Sequence, residues 1–245
     1  MGQILAVVSG KGGTGKTSLC AGLACGLASE DQKVLCIDAD VGLRNLDISL
    51  GLAQEPAIPF TAVMRGEYEL SKAAVHPDFP NLHFLTAPVT ETPEELDRTL
   101  FGQLLEDIRQ HYDWCLIDAP AGIGAGFRLA VEHADLAMVV TGGDPAALRD
   151  GARTAEALER VSEAEAKIVV NRIRKKFFQR TRSTVDDCMD LIGLPLLGIV
   201  PEDEAVVLAA AKGSPLCRVS KKGAALACRN IARRLCGVKQ PLLNL

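Results

Sequence analysis

The sequence predicts an α/β fold in which a mostly parallel sheet carries helices on both faces. Three observations support this prediction. Short apolar runs alternate with helical patterns along the 245 residues. Hydrophobic residues make up 48% of the chain and aromatic residues only 4%, which is typical of aliphatic strands under leucine- and alanine-rich helices. No linker or internal repeat divides the sequence, so residues 1–245 are expected to form one domain.

The first strand is predicted at residues 4–8, and a helix follows with Leu19, Leu23 and Leu27 at every fourth position. A glycine-rich loop between such a strand and helix is the context of the phosphate-binding loop of P-loop nucleotide triphosphatases. Its glycines let successive N–H groups surround a phosphate, and the helix N-terminus adds partial positive charge. The expected nucleotide-binding residues of this loop are Gly10, Lys11, Gly12, Gly13, Thr14, Gly15, Lys16, Thr17 and Ser18.

Within this loop, Lys16 is expected to reach the β- and γ-phosphates, and the Thr17 hydroxyl is expected to bind Mg²⁺. Two alternatives exist. Residues 10–15 also fit the dinucleotide fingerprint G-x-G-x-x-G, with Asp38 or Asp40 as its ribose-binding acid. A glycine-rich turn without any ligand is the other alternative. The fingerprint explains neither Lys16 nor Thr17, so the pattern favours the phosphate loop.

Two later strands end in acidic residues at the edge of the sheet where ligands bind. The strand at residues 33–38 ends in Asp38-Ala39-Asp40, and the strand at residues 113–118 ends in Asp118. An apolar strand that ends in aspartate after a phosphate loop matches the Walker B pattern, whose carboxylate holds Mg²⁺. For Asp38 and Asp40 the alternative is a helix cap or a turn. We expect metal-side roles for Asp40 and Asp118.

The remaining elements continue the alternation. A helix is expected to begin at Thr92-Pro93-Glu94-Glu95, with an apolar stripe of Leu96, Leu100, Leu104 and Ile108. A capping-box variant at residues 183–186 predicts another helix start. The other expected strands are residues 81–86, 136–141, 167–171 and 196–200, and the other expected helices are residues 146–161, 204–212 and 220–235.

The strand at residues 167–171 ends in Asn171-Arg172, at the ligand edge. The amide of Asn171 offers both a donor and an acceptor, which suits the edge of an adenine ring. A capping role for Asn171 is the alternative. The basic run at residues 172–182 is expected to be a solvated loop, with a patch for nucleic acid or anionic lipid as the alternative.

Composition narrows the function classes. A net charge of −4 argues against a protein that coats nucleic acid. No apolar run reaches the length of a membrane span, and the N-terminus is a strand rather than a signal peptide. The eight cysteines form no C-x-x-C pair, so they are expected to be reduced packing residues of a cytoplasmic protein.

The loop carries a second lysine, Lys11, directly after its first glycine. In this it resembles the deviant Walker A motif of the MinD/ParA ATPases. Residues 37–47 and 116–123 are similar to the switch I and switch II segments of the MinD branch, and residues 171–172, 198–203 and 230–235 also resemble that branch. The resemblance covers nearly the whole chain. Relatives that set flagellar number share much of it.

The resemblance implies a homodimer that forms with ATP and sandwiches two nucleotides, with Mg²⁺ as the metal and ADP as the product. Lys11 of each subunit would contact the phosphates of the other subunit. Lys16 would hold the phosphates of its own subunit, Asp40 would orient the attacking water, and Asp118 would hold the metal shell. The implied catalytic residues are therefore Lys11, Lys16, Asp40 and Asp118, and the implied metal ligands are Thr17, Asp40 and Asp118. Asn171 and Pro201 would flank the adenine, and Arg172 is a further nucleotide-binding residue.

The resemblance also implies partners. A MinC-like division inhibitor would bind the ATP state, and a MinE-like factor would stimulate a weak ATPase, so that the protein helps to place the division septum. The alternatives are a ParA-type DNA-partition ATPase and a flagellar-number regulator. Family members of the MinD branch usually carry a final amphipathic helix, whereas residues 237–245 contain Pro241 and a single charge. The expected location is the cytoplasm, and peripheral association with the inner face of the cell membrane is left open.

Overall fold

The computed structural model describes residues 1–181 and 184–243. Within these ranges a single sheet contains eight strands. They are β1 (Gln3–Val8), β2 (Val34–Asp38), β3 (Ala74–His76), β4 (Phe79–Leu85), β5 (Trp114–Asp118), β6 (Leu136–Thr141), β7 (Glu165–Ile173) and β8 (Leu196–Pro201).

The helices of the described ranges alternate with these strands. They are α1 (Lys16–Ala28), α2 (Leu46–Leu50), α3 (Phe60–Met64), α4 (Arg98–His111), α5 (Ala125–Val131), α6 (Pro145–Glu159), α7 (Lys175–Thr181), α8 (Val185–Ile192), α9 (Glu204–Ala211), α10 (Leu216–Val219) and α11 (Gly223–Leu235). Short 3₁₀ turns occur at Leu70–Lys72 and Pro93–Glu95.

The strand order is β3-β4-β2-β5-β1-β6-β7-β8, and only the β3–β4 pair is antiparallel among the pairs described. β1 therefore lies between β5 and β6, near the middle of the sheet. In the register, Asp118 is opposite Val7 on one side and opposite Asp38 on the other. The carboxyl ends of β1, β2 and β5 thus lie side by side, which brings the glycine loop next to the acidic residues.

Alternate residues of the central strand enter two separate cores, because successive side chains of a strand point to opposite faces. Ile4, Ala6 and Val8 join a core with residues of α4, α5, α6 and α8. Leu5 and Val7 join the other core, with residues of α1, α2, α10 and α11. Helices therefore cover both faces of a mostly parallel sheet, and the predicted fold class is confirmed.

The helix expected to begin at Thr92 begins later. Thr92 and Glu95 do form a capping box, but that box closes only one 3₁₀ turn. Leu96 then adopts an extended backbone, and Asp97 caps α4 by accepting hydrogen bonds from the N–H groups of Thr99 and Leu100. Two caps in close succession compete for the same segment, and the second cap starts the helix.

The basic run was expected to be a loop, and this was wrong for most of its length, because α7 lies at Lys175–Thr181. The next helix, α8, is capped by Thr184 in a capping box with Asp187. Two residues of these predictions, Arg182 and Ser183, lie outside the described residues. Elements without a recognised sequence signal are the short helices α2, α5 and α10 and the antiparallel strand β3.

The closing helix α11 begins at Gly223 and packs its alanine-rich face against α1. The two helices approach closely: a Cβ added to Gly26 would lie 2.9 Å from the Ala232 Cβ, and one added to Gly22 would lie 2.7 Å from the Cys228 Sγ. Six residues of α11 are buried in the core on this face of the sheet. Among the described residues, no helix is both long and apolar enough to span a membrane.

We predict that Gly26→Val lowers the free energy of unfolding by about 1–3 kcal/mol, because the new side chain would overlap α11 in a packed core. Urea unfolding followed by circular dichroism measures the change. Arg153→Val, at an exposed position of α6, controls for the helix propensity of valine. Equal effects of the two substitutions would contradict close packing of α1 on α11.

Candidate functional site

The glycine loop leaves β1 and reaches the N-terminus of α1 through a backbone that glycine favours. Gly13 and Gly15 have φ values of 80° and 85°, in the left-handed region. Gly10 approaches α6 so closely that an added Cβ would lie 2.7 Å from the Thr154 Oγ1. By contrast, a Cβ added to Gly12 or Gly13 would meet nothing within 4 Å. The loop is therefore packed at its base and open at its mouth, as a phosphate cradle must be.

A buried ion pair lies beneath the loop. The Lys16 Nζ is 2.7 Å from the Asp118 Oδ1, and the two side chains are only 6% and 1% exposed. Burial raises the pKa of Asp118, while the charge of Lys16 and the nearby Thr17 hydroxyl oppose that rise. The second carboxylate oxygen, Oδ2, is buried and has no hydrogen-bond partner within the protein. A buried oxygen without a partner is costly, so this site is suited to a cationic or hydrogen-bonding ligand.

Asp38 organises the segment that follows β2. Its side chain is fully buried and accepts hydrogen bonds from the N–H groups of Asp40, Asn45 and Leu46, at 3.0, 3.1 and 3.1 Å. Burial, reinforced by the neighbouring charge of Asp118, raises the pKa of Asp38 to about 6. Asp38 therefore holds the loop in place, as in the turn alternative, and its carboxylate oxygens are already engaged.

Asp40 lies at the rim of the same space and is half-buried. Burial raises its pKa, and the charge of Lys16 opposes the rise. Thr17, Asp40 and the free oxygen of Asp118 are hard oxygen ligands of the kind that Mg²⁺ binds beside a phosphate. The unpartnered Asp118 Oδ2 shows that this donor set fits the metal expected from the sequence.

The second lysine is in a different environment from Lys16. Lys11 is 43% exposed, and its Nζ lies 3.5 Å from the Asp150 Oδ2 on α6. An exposed pair of this kind contributes little stability and separates easily. The two lysines of the loop thus differ: one is buried under it, and the other lies at its mouth.

The end of β7 contacts the loop through two side chains. Asn171 donates a hydrogen bond of 2.8 Å from Nδ2 to the Thr14 carbonyl, and its Oδ1 accepts one of 2.9 Å from the Arg172 N–H. The Arg172 guanidinium donates to the Gly13 carbonyl at 3.0 Å and contacts Glu202 at 3.2 Å. In this state the Asn171 amide fastens the loop, so the predicted contact with adenine stays a prediction.

Two pockets meet at Asn171 and Arg172. The larger, about 620 Å³, lies beside the start of α1 and is bordered by Gly15, Ser18, Pro201 and Leu216. The smaller, about 360 Å³, lies on the other side of the loop, between Lys11 and α7. Most of the residues predicted from the sequence therefore lie around two adjoining cavities at the carboxyl edge of the sheet. Asp40 and Asp118 lie at the adjacent strand ends, and Thr17 lies in the first turn of α1.

Comparison with known proteins identifies this arrangement. Residues 5–216 match a family model described as the CobQ/CobB/MinD/ParA nucleotide binding domain. The septum site-determining protein MinD of Synechocystis sp. is 39% identical over 100% of this chain and 93% of its own length. The chain belongs to the MinD/ParA family.

The similarity is to the MinD branch. MinD of Bacillus subtilis is 35% identical over 99% of this chain and 92% of its own length. A MinC:MinD cell division protein complex from Aquifex aeolicus superposes with a TM-score of 0.90 at 34% identity, over 99% of this chain and 98% of that one. MinD of Pyrococcus horikoshii complexed with Mg-ADP gives a TM-score of 0.82 at 28% identity, over 96% of each chain.

Membership of the MinD/ParA family confirms the resemblance seen in the sequence, and the family model confirms a nucleotide as the ligand. The solved MinD of Pyrococcus horikoshii holds its nucleotide as Mg-ADP. The members of this family are ATPases, so nucleotide hydrolysis is the activity class of the chain. A ParA family ATPase from Chlorobium tepidum, at 22% identity, shares the fold. The dinucleotide alternative for the glycine loop is wrong.

Sequence reasoning missed two residues that shape the MinD-like site. Asp150, the partner of Lys11, lies on a helix far along the chain and carries no motif. Asp203 accepts hydrogen bonds from the N–H groups of Ala205 and Ala224, so it joins the starts of α9 and α11 below the larger pocket. Because Asp203 precedes a helix, the sequence signals its capping bond with the Ala205 N–H. The sequence gives no signal for its bond with the Ala224 N–H.

We predict that Asp38 lowers the stability of the nucleotide-free protein as the pH rises. The folded protein holds the Asp38 proton up to about pH 6, whereas the unfolded chain releases it near the ordinary value of 3.8. Relative to Asp38→Asn, which cannot titrate, the wild type should lose about 2 kcal/mol of stability between pH 4 and pH 7. Urea unfolding of both proteins, without Mg²⁺, measures this difference. A difference that does not change with pH would contradict the buried environment of Asp38.

Proposed function

We propose that this protein is a weak, partner-stimulated ATPase that acts as a switch in placing the division septum. In the ATP state it forms a homodimer, and in the ADP state it returns to single chains. The observation that carries the proposal is the pair of loop lysines. Lys16 already neutralises charge from below the phosphates, so an exposed Lys11 at the mouth of the loop is available to a second subunit. A cation supplied across an interface stabilises the charge that develops in phosphoryl transfer.

The other site residues take roles that their positions support. Lys16 and the loop N–H groups hold the phosphates, and Thr17 and Asp118 hold the metal shell, where Mg²⁺ neutralises phosphate charge when bound. Asp40, at the open rim, accepts a hydrogen bond from the attacking water and orients it. The purine occupies the pocket of about 620 Å³ next to Pro201, where Asn171 reaches its edge after leaving Thr14.

The partner of the ATP state is a MinC-like division inhibitor. The solved complex of MinD with MinC from Aquifex aeolicus supports this, because the present chain superposes on it over nearly its full length. The segments after β2 and β5 expose Leu43 and Ile123, which are 69% and 49% accessible. Loops of this kind change with the bound phosphate and transmit its presence to a partner. A MinE-like factor then stimulates hydrolysis, and the cycle takes place in the cytoplasm or at the inner face of the membrane.

A ParA-type function in DNA partition is the second candidate, and one observation favours it: α7 exposes Lys175, Lys176 and Arg180. Against it, Arg172 and Arg174 are paired with Glu202 and so offer less charge to a phosphate backbone. Titration of duplex DNA at increasing salt distinguishes the two candidates, since phosphate contacts weaken steeply with salt. Strong, salt-sensitive binding of DNA in the ATP state would favour partition.

We expect Lys16→Ala to abolish nucleotide binding, because it removes the charge that offsets the β- and γ-phosphates and leaves Asp118 buried without a partner. Titration with a fluorescent ATP analogue measures the affinity. Lys33→Ala, an exposed lysine at the opposite end of β2, is the control and should bind as the wild type does. Unchanged affinity of Lys16→Ala would refute the phosphate-loop assignment.

We expect Lys11→Ala to bind nucleotide but to lose ATP-driven dimerisation, because Lys11 lies at the mouth of the loop. Light scattering with ATP is measured on the Asp40→Ala background, where turnover does not complicate the result. Asp150→Ala is the matched control, since it breaks the same ion pair but keeps the lysine, and it should still dimerise. If the Lys11→Ala/Asp40→Ala protein dimerises fully, Lys11 does not act across the interface.

We expect Asp40→Ala to retain ATP, the dimer and the binding of a MinC-like inhibitor, while turnover stops because the water loses its positioning group. Phosphate release measures turnover, and co-sedimentation with the inhibitor in ATP or ADP measures recruitment. Asp47→Ala, a half-buried carboxylate in the same segment, is the control and should keep its turnover. Hydrolysis by Asp40→Ala at the wild-type rate would show that another group orients the water.

A further inference from the structure

A cluster of three cysteines lies where α1, α10 and α11 meet, outside the phosphate site. Cys25 on α1 and Cys228 on α11 are 1% and 3% exposed, and Cys217 on α10 is half-buried. Cys217 packs against the hydrophobic core that contains Cys25 and Cys228, and the thiols of Cys25 and Cys217 are close enough for each to change the pKa of the other. The Cys228 sulfur is instead packed at Gly22. The helices therefore pair one accessible thiol with one inaccessible thiol.

The surroundings of Cys217 favour its thiolate. The neighbouring thiol of Cys25 and the nearby cations of Lys221 and Arg218 lower the pKa of Cys217 to about 7, although its partial burial acts in the opposite direction. Arg218 also pairs with Asp78 at 2.9 Å, so Lys221 is the cation with the larger effect. The thiolate is the nucleophilic form of cysteine, and an accessible thiolate beside a second thiol is the arrangement of a redox-sensitive pair.

We infer that Cys217 and Cys25 are a redox-active pair that closes to a disulfide when a hydroperoxide reacts with the Cys217 thiolate. In the first step the thiolate sulfur attacks one oxygen of hydrogen peroxide, the O–O bond breaks, and the sulfur becomes a sulfenic acid. The hydroxide that leaves takes up a proton, the one that the Cys217 thiol released, and becomes water. In the second step the Cys25 thiol attacks that sulfur, the S–S bond forms, and a second water leaves. The two thiols lose two electrons and two protons, and the peroxide gains both.

The chain contains its own controls for this inference. The thiols of Cys20 and Cys36 also change each other's pKa, but both are fully buried, and no oxidant can reach them in the folded protein. Cys236 is half-buried like Cys217, but burial raises its pKa and the nearby acidic residues Glu30 and Asp113 raise it further. The Cys20–Cys36 pair is thus in contact but inaccessible, whereas Cys236 is accessible but not activated. Only the Cys25–Cys217 pair combines contact with access and activation among the described residues.

Closing the bridge would change the nucleotide pocket. Leu216, the neighbour of Cys217, and Cys228 both line the larger pocket, and α1 carries the phosphate loop at its other end. A covalent bond between α10 and α1 draws the wall that contains Leu216 toward α1. We expect this to weaken nucleotide binding about tenfold. This coupling rests on the proposed nucleotide site, whereas the thiol chemistry does not.

The test uses the full chain, reduced and free of nucleotide, treated with hydrogen peroxide and then with N-ethylmaleimide. Peptide mapping without a reductant should find a Cys25–Cys217 bridge as the main product. Cys217→Ser should abolish the bridge, and Cys20→Ser should leave it unchanged. If the main product involves Cys236 or the Cys20–Cys36 pair, the inference is wrong.

A second measurement keeps the inference testable if Cys217→Ser folds poorly. In the untreated wild type, iodoacetamide at neutral pH should label Cys217 faster than Cys236. Equal rates would refute the activation of Cys217. The fluorescent ATP analogue then reports the affinity of the oxidised protein, which dithiothreitol should restore. A bridged protein with unchanged affinity would refute the coupling to the pocket and leave the switch proposal untouched.

Discussion

The arrangement of this site depends on one buried ion pair, between Lys16 and Asp118. Taking two charges out of water costs several kcal/mol per ion, and loss of one partner typically costs about 3–5 kcal/mol, so the pair is kept only where its partners are fixed. Asp118 is fixed by its place at the end of β5, and Lys16 by the first turn of α1. The unpartnered Oδ2 of Asp118 leaves one position in this network open to a ligand. The buried Lys16–Asp118 pair, whose two charges balance, thus lies beneath an open glycine loop.

The sheet makes that pair possible. The register puts Asp118 beside both Val7 and Asp38. The ends of β1, β5 and β2 therefore bring the glycine loop, Asp118 and Asp38 together. Burial of Asp38 and Asp118 side by side raises the pKa of each. The cost is offset where Asp38 accepts three N–H groups and where Lys16 reaches Asp118. Lys11, outside this network and only loosely paired with Asp150, remains free to act elsewhere.

The sequence was enough to predict the fold class and most of the site, because both depend on local patterns. A glycine loop between a strand and a helix, and strands that end in aspartate, place Lys16 and Asp118 at one edge without knowledge of distant contacts. The cap at Thr92 and the helix in the basic run were misjudged, because competing caps and exposed charges leave no clear periodicity. The Lys11–Asp150 pair joins residues far apart in the chain, and local patterns cannot reveal it.

We propose that Lys11 completes the site of a second subunit. Mixing two inactive variants distinguishes this role from one within its own chain. Lys11→Ala retains Asp40, and Asp40→Ala retains Lys11, so in a mixed dimer one site receives both groups if Lys11 acts across the interface. We predict that the mixture hydrolyses ATP while each variant alone does not, as phosphate release would show. If Lys11 acts within its own chain, every site in the mixture lacks one group. A mixture as inactive as its two components would therefore contradict the role of Lys11 across the interface.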